Sequence, residues 1–133
     1  MIPDLDDRGY LPPGIHRATL EEVAERFGRQ SEIRRIQMES LGWLVEVARR
    51  AGVQRLIING SFVTDKLEPD DVDCLILTRP GFSQSSATEE ELFGGLPFMH
   101  IQLVKQKTFD LFVREIFALD VDGNAKGLVE VLL

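Results

Sequence analysis

Apolar residues recur along the first part of this chain at intervals of three and four, the period of an amphipathic helix. Thr19 and Glu22 form a capping box, which predicts a short helix that begins there and ends near Phe27. A longer helix is predicted from about Ser31 to a stop signal at Gly52. The apolar stripe of this long helix is expected to consist of Ile33, Ile36, Leu41, Leu44, Val45 and Ala48.

Two other residues of the long helix are assigned to opposite environments. Arg34 falls mainly outside the apolar stripe, so we expect it on a solvated face. Trp43 is large and apolar, so we expect it in the core or in helix packing rather than in a binding site.

Further along, the pattern changes to short apolar runs bounded by turn residues, which is typical of strands. Four strands are predicted, at residues 53–58, 72–77, 99–104 and 128–132. A short helix is expected to begin at Thr88, and another is expected to be capped by Thr108, with an apolar stripe between Phe109 and Phe117. Helices followed by strands mixed with helices indicate an α+β fold, with one mixed sheet of about four strands flanked by helices.

The N-terminal residues differ in composition from the rest of the chain. Residues 1–14 contain Pro3, Pro12 and Pro13 together with Gly9 and Gly14, so they predict an extended arm rather than a helix or strand. The 133 residues as a whole predict a single domain, 1–133, that is long enough for a sizeable core.

Charge and cysteine content narrow the function classes. A formal net charge of −7 argues against general DNA binding, which needs a basic face. Binding of a nucleotide through a metal ion is compatible with this negative charge, because the metal supplies positive charge. The single cysteine, Cys74, excludes an internal disulfide and is expected to be a buried small hydrophobic residue. Without a membrane-length apolar run or a signal peptide, the chain is expected to be cytoplasmic, with no membrane partner.

The candidate chemistry lies in residues 56–77, where two predicted strands flank a polar loop. Asp71 and Asp73 are two residues apart, so strand alternation predicts both carboxylates on one face. Such a pair repels itself unless a cation lies between, and Mg²⁺ takes carboxylate oxygens together with substrate phosphates. The Gly60-Ser61 turn has amides and a hydroxyl suited to those phosphates. On the residues alone, a metal–nucleotide site and a solvated acidic turn both stay open.

The same residues resemble the pattern of the nucleotidyltransferase-fold superfamily, the group that includes DNA polymerase beta. That pattern is an apolar strand, Gly-Gly or Gly-Ser, a short gap, and Asp–apolar–Asp/Glu on the next strand; nine residues separate Ser61 from Asp71 here. A similarity to a bacterial group of small, poorly characterised nucleotidyltransferase-like proteins covers nearly the whole chain. It rests on the segments IPDLDDRGYLPPGIHRATLEE, GSFVTDK-LEPDDVD and GNAKGLVEV.

This resemblance implies a role for each residue of the loop. Asp71 and Asp73 would be the catalytic carboxylates that ligate Mg²⁺ or Mn²⁺, and Gly60 and Ser61 would contact the β- and γ-phosphates of a nucleoside triphosphate. Lys66 is the nearest cation, for which a phosphate contact and a solvent-facing position both stay open. The implied reaction moves NMP to an unidentified acceptor, which is a protein, an RNA or a small molecule.

The sequence departs from the family pattern at the third carboxylate, which active members carry on a later strand beside the pair. His100 and Gln102 occupy that strand here, and Asp110 follows on a helix. Because glutamine is a poor Mg²⁺ ligand and histidine suits softer metals, transfer is expected to be slow or absent. The enzyme class is therefore left open between a weak or unusual nucleotidyltransferase and a non-catalytic module that binds a nucleotide or a partner, such as an antitoxin-like component of a toxin–antitoxin pair.

Two residues near the C-terminus bear on the same question. Lys126 is expected to approach the site if the last strand lies next to strand 72–77, and a plain turn lysine is the alternative. The acidic run from Asp120 begins like a calcium loop, but Ala125 and Val131 occupy the positions that need Gly and Glu, so a turn is predicted instead. Homo-oligomerisation stays open.

Overall fold

Residues 1–81 and 96–133 are described by a computed structural model, and their five strands form one mixed sheet. The strands are β1 (Gly14–Ala18), β2 (Arg55–Asn59), β3 (Val72–Leu77), β4 (Met99–Val104) and β5 (Gly127–Val131). Their order across the sheet is β1-β5-β2-β3-β4. The β1–β5 and β3–β4 pairs are parallel, and the other two pairs are antiparallel. The α+β class is thus confirmed, with five strands in place of about four. The short helix expected from Thr88 lies outside the described residues.

The strand that the pattern does not predict is β1. The chain turns into a strand at Gly14, where the extended arm was expected to end, and runs parallel to β5 at the edge of the sheet. Within β1 only Ala18 is fully buried, whereas Arg17 is exposed and His16 is partly exposed. An edge strand with one buried residue lacks the apolar alternation by which strands are found in a sequence.

The first two helices begin and end where the capping signals predict. Helix α1 (Leu20–Phe27) has a complete capping box, in which the Thr19 hydroxyl accepts from the Glu22 amide and the Glu22 carboxylate accepts from the Thr19 amide, each at 3.1 Å. Helix α2 (Glu32–Ala51) is followed by Gly52 in the left-handed conformation, with a φ of 71°. No helix in the described ranges is both long and apolar enough to cross a membrane.

The helix that follows β4 begins earlier than predicted. Helix α3 (Gln106–Leu111) starts directly after β4, with Lys105 at its N-cap, and it continues into the π-helical turn Phe112–Ile116. Thr108 therefore lies inside the helix, and the predicted cap at that residue is wrong. The chain leaves β4 at Val104 and turns at once into a helix, which leaves no room for a separate capping segment.

The sheet has an apolar core on each face. Helices α1 and α2 cover one face, where their buried residues pack against residues such as Ile58, Cys74 and Val129. Helix α3 covers part of the other face through Phe109, which is 1% exposed. The rest of that second core consists of Ile57, Leu75, Leu77 and Leu128, with Ile15, Val104, Phe112, Val113 and Phe117 packed against it.

The buried stripe of α2 differs from the predicted one. Arg34 and Gln37 are 1% and 0% exposed, whereas Ile36 and Trp43 are 39% and 58% exposed. The prediction that Arg34 lies on a solvated face is therefore wrong, and the exposure of Trp43 rules out the core, one of the two positions predicted for it. The stripe runs from Arg34 and Gln37 into Leu41, Leu44 and Ala48 because the first turns of α2 face polar main chain rather than the apolar sheet.

Cys74 is buried in β3, as predicted, and this makes its thiol a probe of folding. Burial raises the pKa of the Cys74 thiol far above its usual range, with a smaller contribution from the negative charge of Asp73. We expect no reaction of the native protein with a thiol-specific colorimetric reagent, and one equivalent of reaction after denaturation. Rapid stoichiometric labelling of the native protein would contradict this packing.

Candidate functional site

A row of polar side chains crosses three adjacent strands at one end of the sheet. Asn59 on β2 pairs with Asp73 on β3, and Asp73 pairs with His100 on β4. Residues directly opposite in paired strands project to the same face, so the three side chains are neighbours. The Nδ1 atom of His100 lies 3.1 Å from Oδ1 of Asp73. The Asp73 and His100 side chains are 34% and 62% exposed, so a ligand from solvent can reach both.

The Gly60 turn packs directly on the carboxylate of this row. Gly60 has a φ of 79°, and a Cβ atom at this position would overlap Oδ2 of Asp73. The left-handed backbone and the lack of space both favour glycine here. The predicted phosphate-binding turn and the predicted metal-binding carboxylate are therefore brought together.

Helix α2 holds the loop that follows this turn through a buried arginine. The Arg34 guanidinium donates hydrogen bonds of 2.5–3.3 Å to five main-chain carbonyl oxygens, those of Phe27, Ser61, Phe62, Thr64 and Lys66. Burial lowers the pKa of Arg34, and the negative charge of Asp65 partly opposes that effect. Carbonyl dipoles thus compensate much of the desolvation of the charge.

Two more side chains of the same helix face hold the loop further along. The hydroxyl of Ser31 donates to the carbonyl of Leu67 at 2.7 Å, and the amide of Gln37 donates to the carbonyl of Pro69 at 2.5 Å. Ser31, Arg34 and Gln37 are spaced by three residues, which places them along one side of a helix. That spacing leads into the buried positions of α2, and it is the sequence signal by which these contacts between the helix and the loop could have been found.

The N-terminal arm packs on the loop from the other direction. The carbonyl of Gly9 accepts from the amide of Asp65 at 3.1 Å, and Tyr10 forms a bridge with Thr64. The hydroxyl of Tyr10 also donates to Asp120 at 3.1 Å, in the turn that precedes β5. The arm therefore links the loop beside Gly60 to the segment that carries Lys126.

The charged residues predicted for the site differ in their positions and exposure. Asp73 lies within β3, whereas Asp71 is an exposed residue that precedes the strand. Lys126 is partly buried; burial lowers its pKa, and the negative charges of Asp73 and Asp120 oppose that shift. Lys126 therefore lies within electrostatic reach of Asp73, although β5 is next to β2 and β1 rather than next to β3 as the prediction required. Lys66 is exposed, and its carbonyl is one of those that bind Arg34.

Two amide oxygens on the same face of the sheet as the row are available to bind a cation or a hydrogen-bond donor. Oδ1 of Asn59 and Oε1 of Gln102 are buried, and neither accepts a hydrogen bond from residues 1–81 or 96–133. Carboxylate and amide oxygens are ligands that Mg²⁺ and Mn²⁺ accept. Within the same ranges no three His, Cys, Asp or Glu side chains form a ready-made metal cage. The donor set therefore fits an ion that completes its coordination with water and substrate phosphates, as Mg²⁺ usually does.

Asp110 and a nearby pocket do not belong to this row. Asp110 lies on α3, as predicted, and accepts from Gln106 at 2.9 Å. A pocket of about 320 Å³ beside it is lined by Ile15, Arg55, Phe109, Asp110, Val113 and Arg114. Arg55 already forms two hydrogen bonds to Glu130, at 2.6 and 3.0 Å, which raise its pKa. The positive charge of Arg55 in this pocket is thus already paired with the carboxylate of Glu130.

The fold and the site define an α+β protein in which a glycine turn packs on an Asp–His pair of a mixed five-stranded sheet. The model of a family of unknown function, DUF6932, matches residues 3–132, so the chain belongs to that family. No curated protein and no solved structure is significantly similar to it.

Proposed function

We propose that this chain is a metal-dependent nucleotidyltransferase-like protein that moves NMP from a nucleoside triphosphate to an unidentified acceptor. The observation that carries the proposal is the packing of Gly60 on the Asp73 carboxylate. A triphosphate bound by the Gly60 turn would lie against a cation bound by Asp73. The two parts of the proposed metal–nucleotide site would therefore be next to each other, which supports the proposal.

Each residue has a separate role in this proposal. Asp71 and Asp73 would hold Mg²⁺ or Mn²⁺, whose charge offsets that of the phosphates. Gly60 and Ser61 would bind the β- and γ-phosphates through the main chain and the hydroxyl. Lys126 supplies a positive charge near Asp73 and would attract the triphosphate, and Lys66 would contact a phosphate from the loop.

The transfer itself is an in-line displacement at the α-phosphorus. The acceptor oxygen forms a bond to that phosphorus while the bond between the α-phosphorus and the bridging oxygen breaks. Pyrophosphate leaves with the bond electrons, and the acceptor proton goes to solvent. The protein contributes mainly the position of the phosphates and the stabilisation of their charge.

A second candidate function is a binding module without turnover. This candidate is favoured by His100, a residue of β4 that contacts Asp73 of β3. Active members of the proposed class carry a carboxylate at that place. Such a protein would bind a nucleotide or a protein partner and would act as a regulator, for example as an antitoxin-like component. A protein or RNA acceptor, homo-oligomerisation and a cytoplasmic location are parts of the same proposal.

The test is transfer of label from α-³²P nucleoside triphosphates in a lysate that contains Mg²⁺ or Mn²⁺. We expect the purified chain to label an acceptor, and the double variant Asp71→Asn/Asp73→Asn to lose that labelling completely. Asp70→Asn is the matched control, because Asp70 is an exposed acid next to the pair and outside the motif. Equal labelling by the double variant would refute the transferase proposal.

The same proteins separate the two candidate functions. Metal-dependent nucleotide binding that Asp73→Asn abolishes, without any transfer of label, would support the binding module. Thermal melting of each variant verifies the fold, and the partial exposure of Asp73 predicts unfolding free energies within about 0.5 kcal/mol of the parent.

A further inference from the structure

We propose that His100 is a metal ligand, so that the site prefers a divalent transition metal such as Mn²⁺ over Mg²⁺. This inference rests on the proposed function for the use of the metal, but it concerns the identity of the ion and the atoms that bind it. It assigns Nδ1 of His100 and Oδ1 of Asp73 to two adjacent positions of one coordination sphere.

The distance between the two atoms fits this assignment. Ligand atoms in adjacent positions of an octahedron, at about 2.0–2.2 Å from the ion, are about 2.8–3.1 Å apart. Nδ1 of His100 and Oδ1 of Asp73 are 3.1 Å apart. Both atoms can therefore bind one ion in place of the hydrogen bond that now joins them, once the imidazole ring turns the Nδ1 lone pair toward that ion.

The strands hold the two donors in this relation. Asp73 and His100 are paired residues of parallel β3 and β4, so their Cα atoms are fixed by the register of the sheet. On the other side of Asp73, the buried Asn59 has an unpartnered Oδ1 among the described residues, and it belongs to the same row. A nitrogen donor, a carboxylate and an amide oxygen thus occupy adjacent strands, and the exposed faces of Asp73 and His100 leave room for water or phosphate.

The ligand types determine which ion is preferred. Mg²⁺ binds oxygen and dehydrates reluctantly, so a nitrogen donor contributes little to its affinity. First-row transition metals accept imidazole as well as carboxylate, and Mn²⁺ is the member of that series that also suits carboxylate, carbonyl and water oxygens. Lys126, whose positive charge lies near Asp73, disfavours a bare cation and favours one accompanied by phosphate. The expected ligand is therefore a divalent transition metal that binds together with a phosphate group.

The experiment measures Mn²⁺ binding directly, by electron paramagnetic resonance with inorganic pyrophosphate present and Mg²⁺ as competitor. We expect His100→Asn to weaken Mn²⁺ binding by about 10-fold or more, since even groups outside the coordination sphere change metal affinity by about 10–100-fold. His100→Asp should restore an all-oxygen site, with tighter Mg²⁺ binding and a smaller preference for Mn²⁺. Pulsed resonance should detect an imidazole nitrogen coupled to the bound Mn²⁺ in the parent protein and not in either variant.

The controls separate this inference from the proposed function. His16→Asn removes the only other histidine, whose ring contacts the carbonyl of Pro12, and should leave the nitrogen coupling intact. Mn²⁺ binding that depends on Asp73 but not on His100, without nitrogen coupling, would overturn the inference and leave the transferase proposal untouched. Binding that depends on both residues, in a protein that neither binds nor transfers nucleotide, would support the inference and refute the proposed function. No detectable Mn²⁺ binding would overturn the inference, and the labelling assay would then decide the function independently.

Discussion

Replacement of Arg34 by methionine is expected to lower the free energy of unfolding by about 3–5 kcal/mol. The guanidinium is 1% exposed and donates to five main-chain carbonyls, so its removal leaves several buried acceptors without a donor. Methionine keeps much of the length and the apolar stem of the side chain, so the loss measures the hydrogen bonds more than the packing. Urea denaturation followed by circular dichroism gives the value.

Arg35 provides the matched control for this experiment. It is the next residue on α2 and it is exposed, so Arg35→Met should change the free energy of unfolding by no more than about 0.5 kcal/mol. Arg34→Lys should recover only part of the stability, because one ammonium cannot reproduce a planar group that bonds carbonyls in several directions. Similar stabilities for the Arg34→Met and Arg35→Met proteins would show that the carbonyl contacts contribute nothing.

The second large effect is expected for Gly60→Ala, which should destabilise the protein and disrupt the site together. The left-handed backbone disfavours a side chain by about 1–2 kcal/mol, and the new Cβ would also overlap Oδ2 of Asp73. Relief of that overlap moves either the loop or the carboxylate. We therefore expect the affinity for Mn²⁺ or nucleotide to fall by about 10-fold or more, because changes in the groups that orient a metal ligand typically lower metal affinity by about 10–100-fold.

Gly123→Ala separates the backbone strain from the overlap. Gly123 has a φ of 81°, close to the 79° of Gly60, but a Cβ at this position would meet nothing within 4 Å. The Gly123 variant should therefore lose about 1–2 kcal/mol and keep its ligand affinity. The difference between the two variants, measured by denaturation and by titration, isolates the contact with Asp73. If both variants lose the same stability and neither loses affinity, the turn does not shape the site.

The local elements could be predicted because their signals lie within a few residues. Thr19 and Gly52 mark helix ends through their own side chain and backbone, and the apolar run of β3 lies between turn residues. The packing of Gly60 on Asp73 agrees with the motif spacing, since antiparallel pairing of β2 with β3 places Asn59 opposite Asp73 and the Gly60 turn follows directly. These features need no information from distant parts of the chain.

The features that escape prediction depend on distant partners. β1 becomes a strand because β5 lies beside it, and the pattern of Gly14–Ala18 alone does not require one. Arg34 is buried because carbonyls of a later loop surround it, so a rule that keeps charges in solvent assigns it to the wrong face. The family resemblance leaves His100 and Gln102 open for the position beside the aspartates, and only the register of β3 and β4, which periodicity does not specify, selects His100 as the partner of Asp73.

The position of β5 between β1 and β2 also affects how the site is assembled during folding. The pairing of β2 with β3 joins residues close in sequence, such as Asn59 and Asp73, whereas Gly14 of β1 pairs with Gly127 near the other end of the sequence. Closing the larger loop costs more entropy and slows folding. The Gly60–Asp73 contact can thus form early, and Lys126 arrives only when β5 inserts. Until then β2 has an open edge, which exposes the partly folded chain to aggregation.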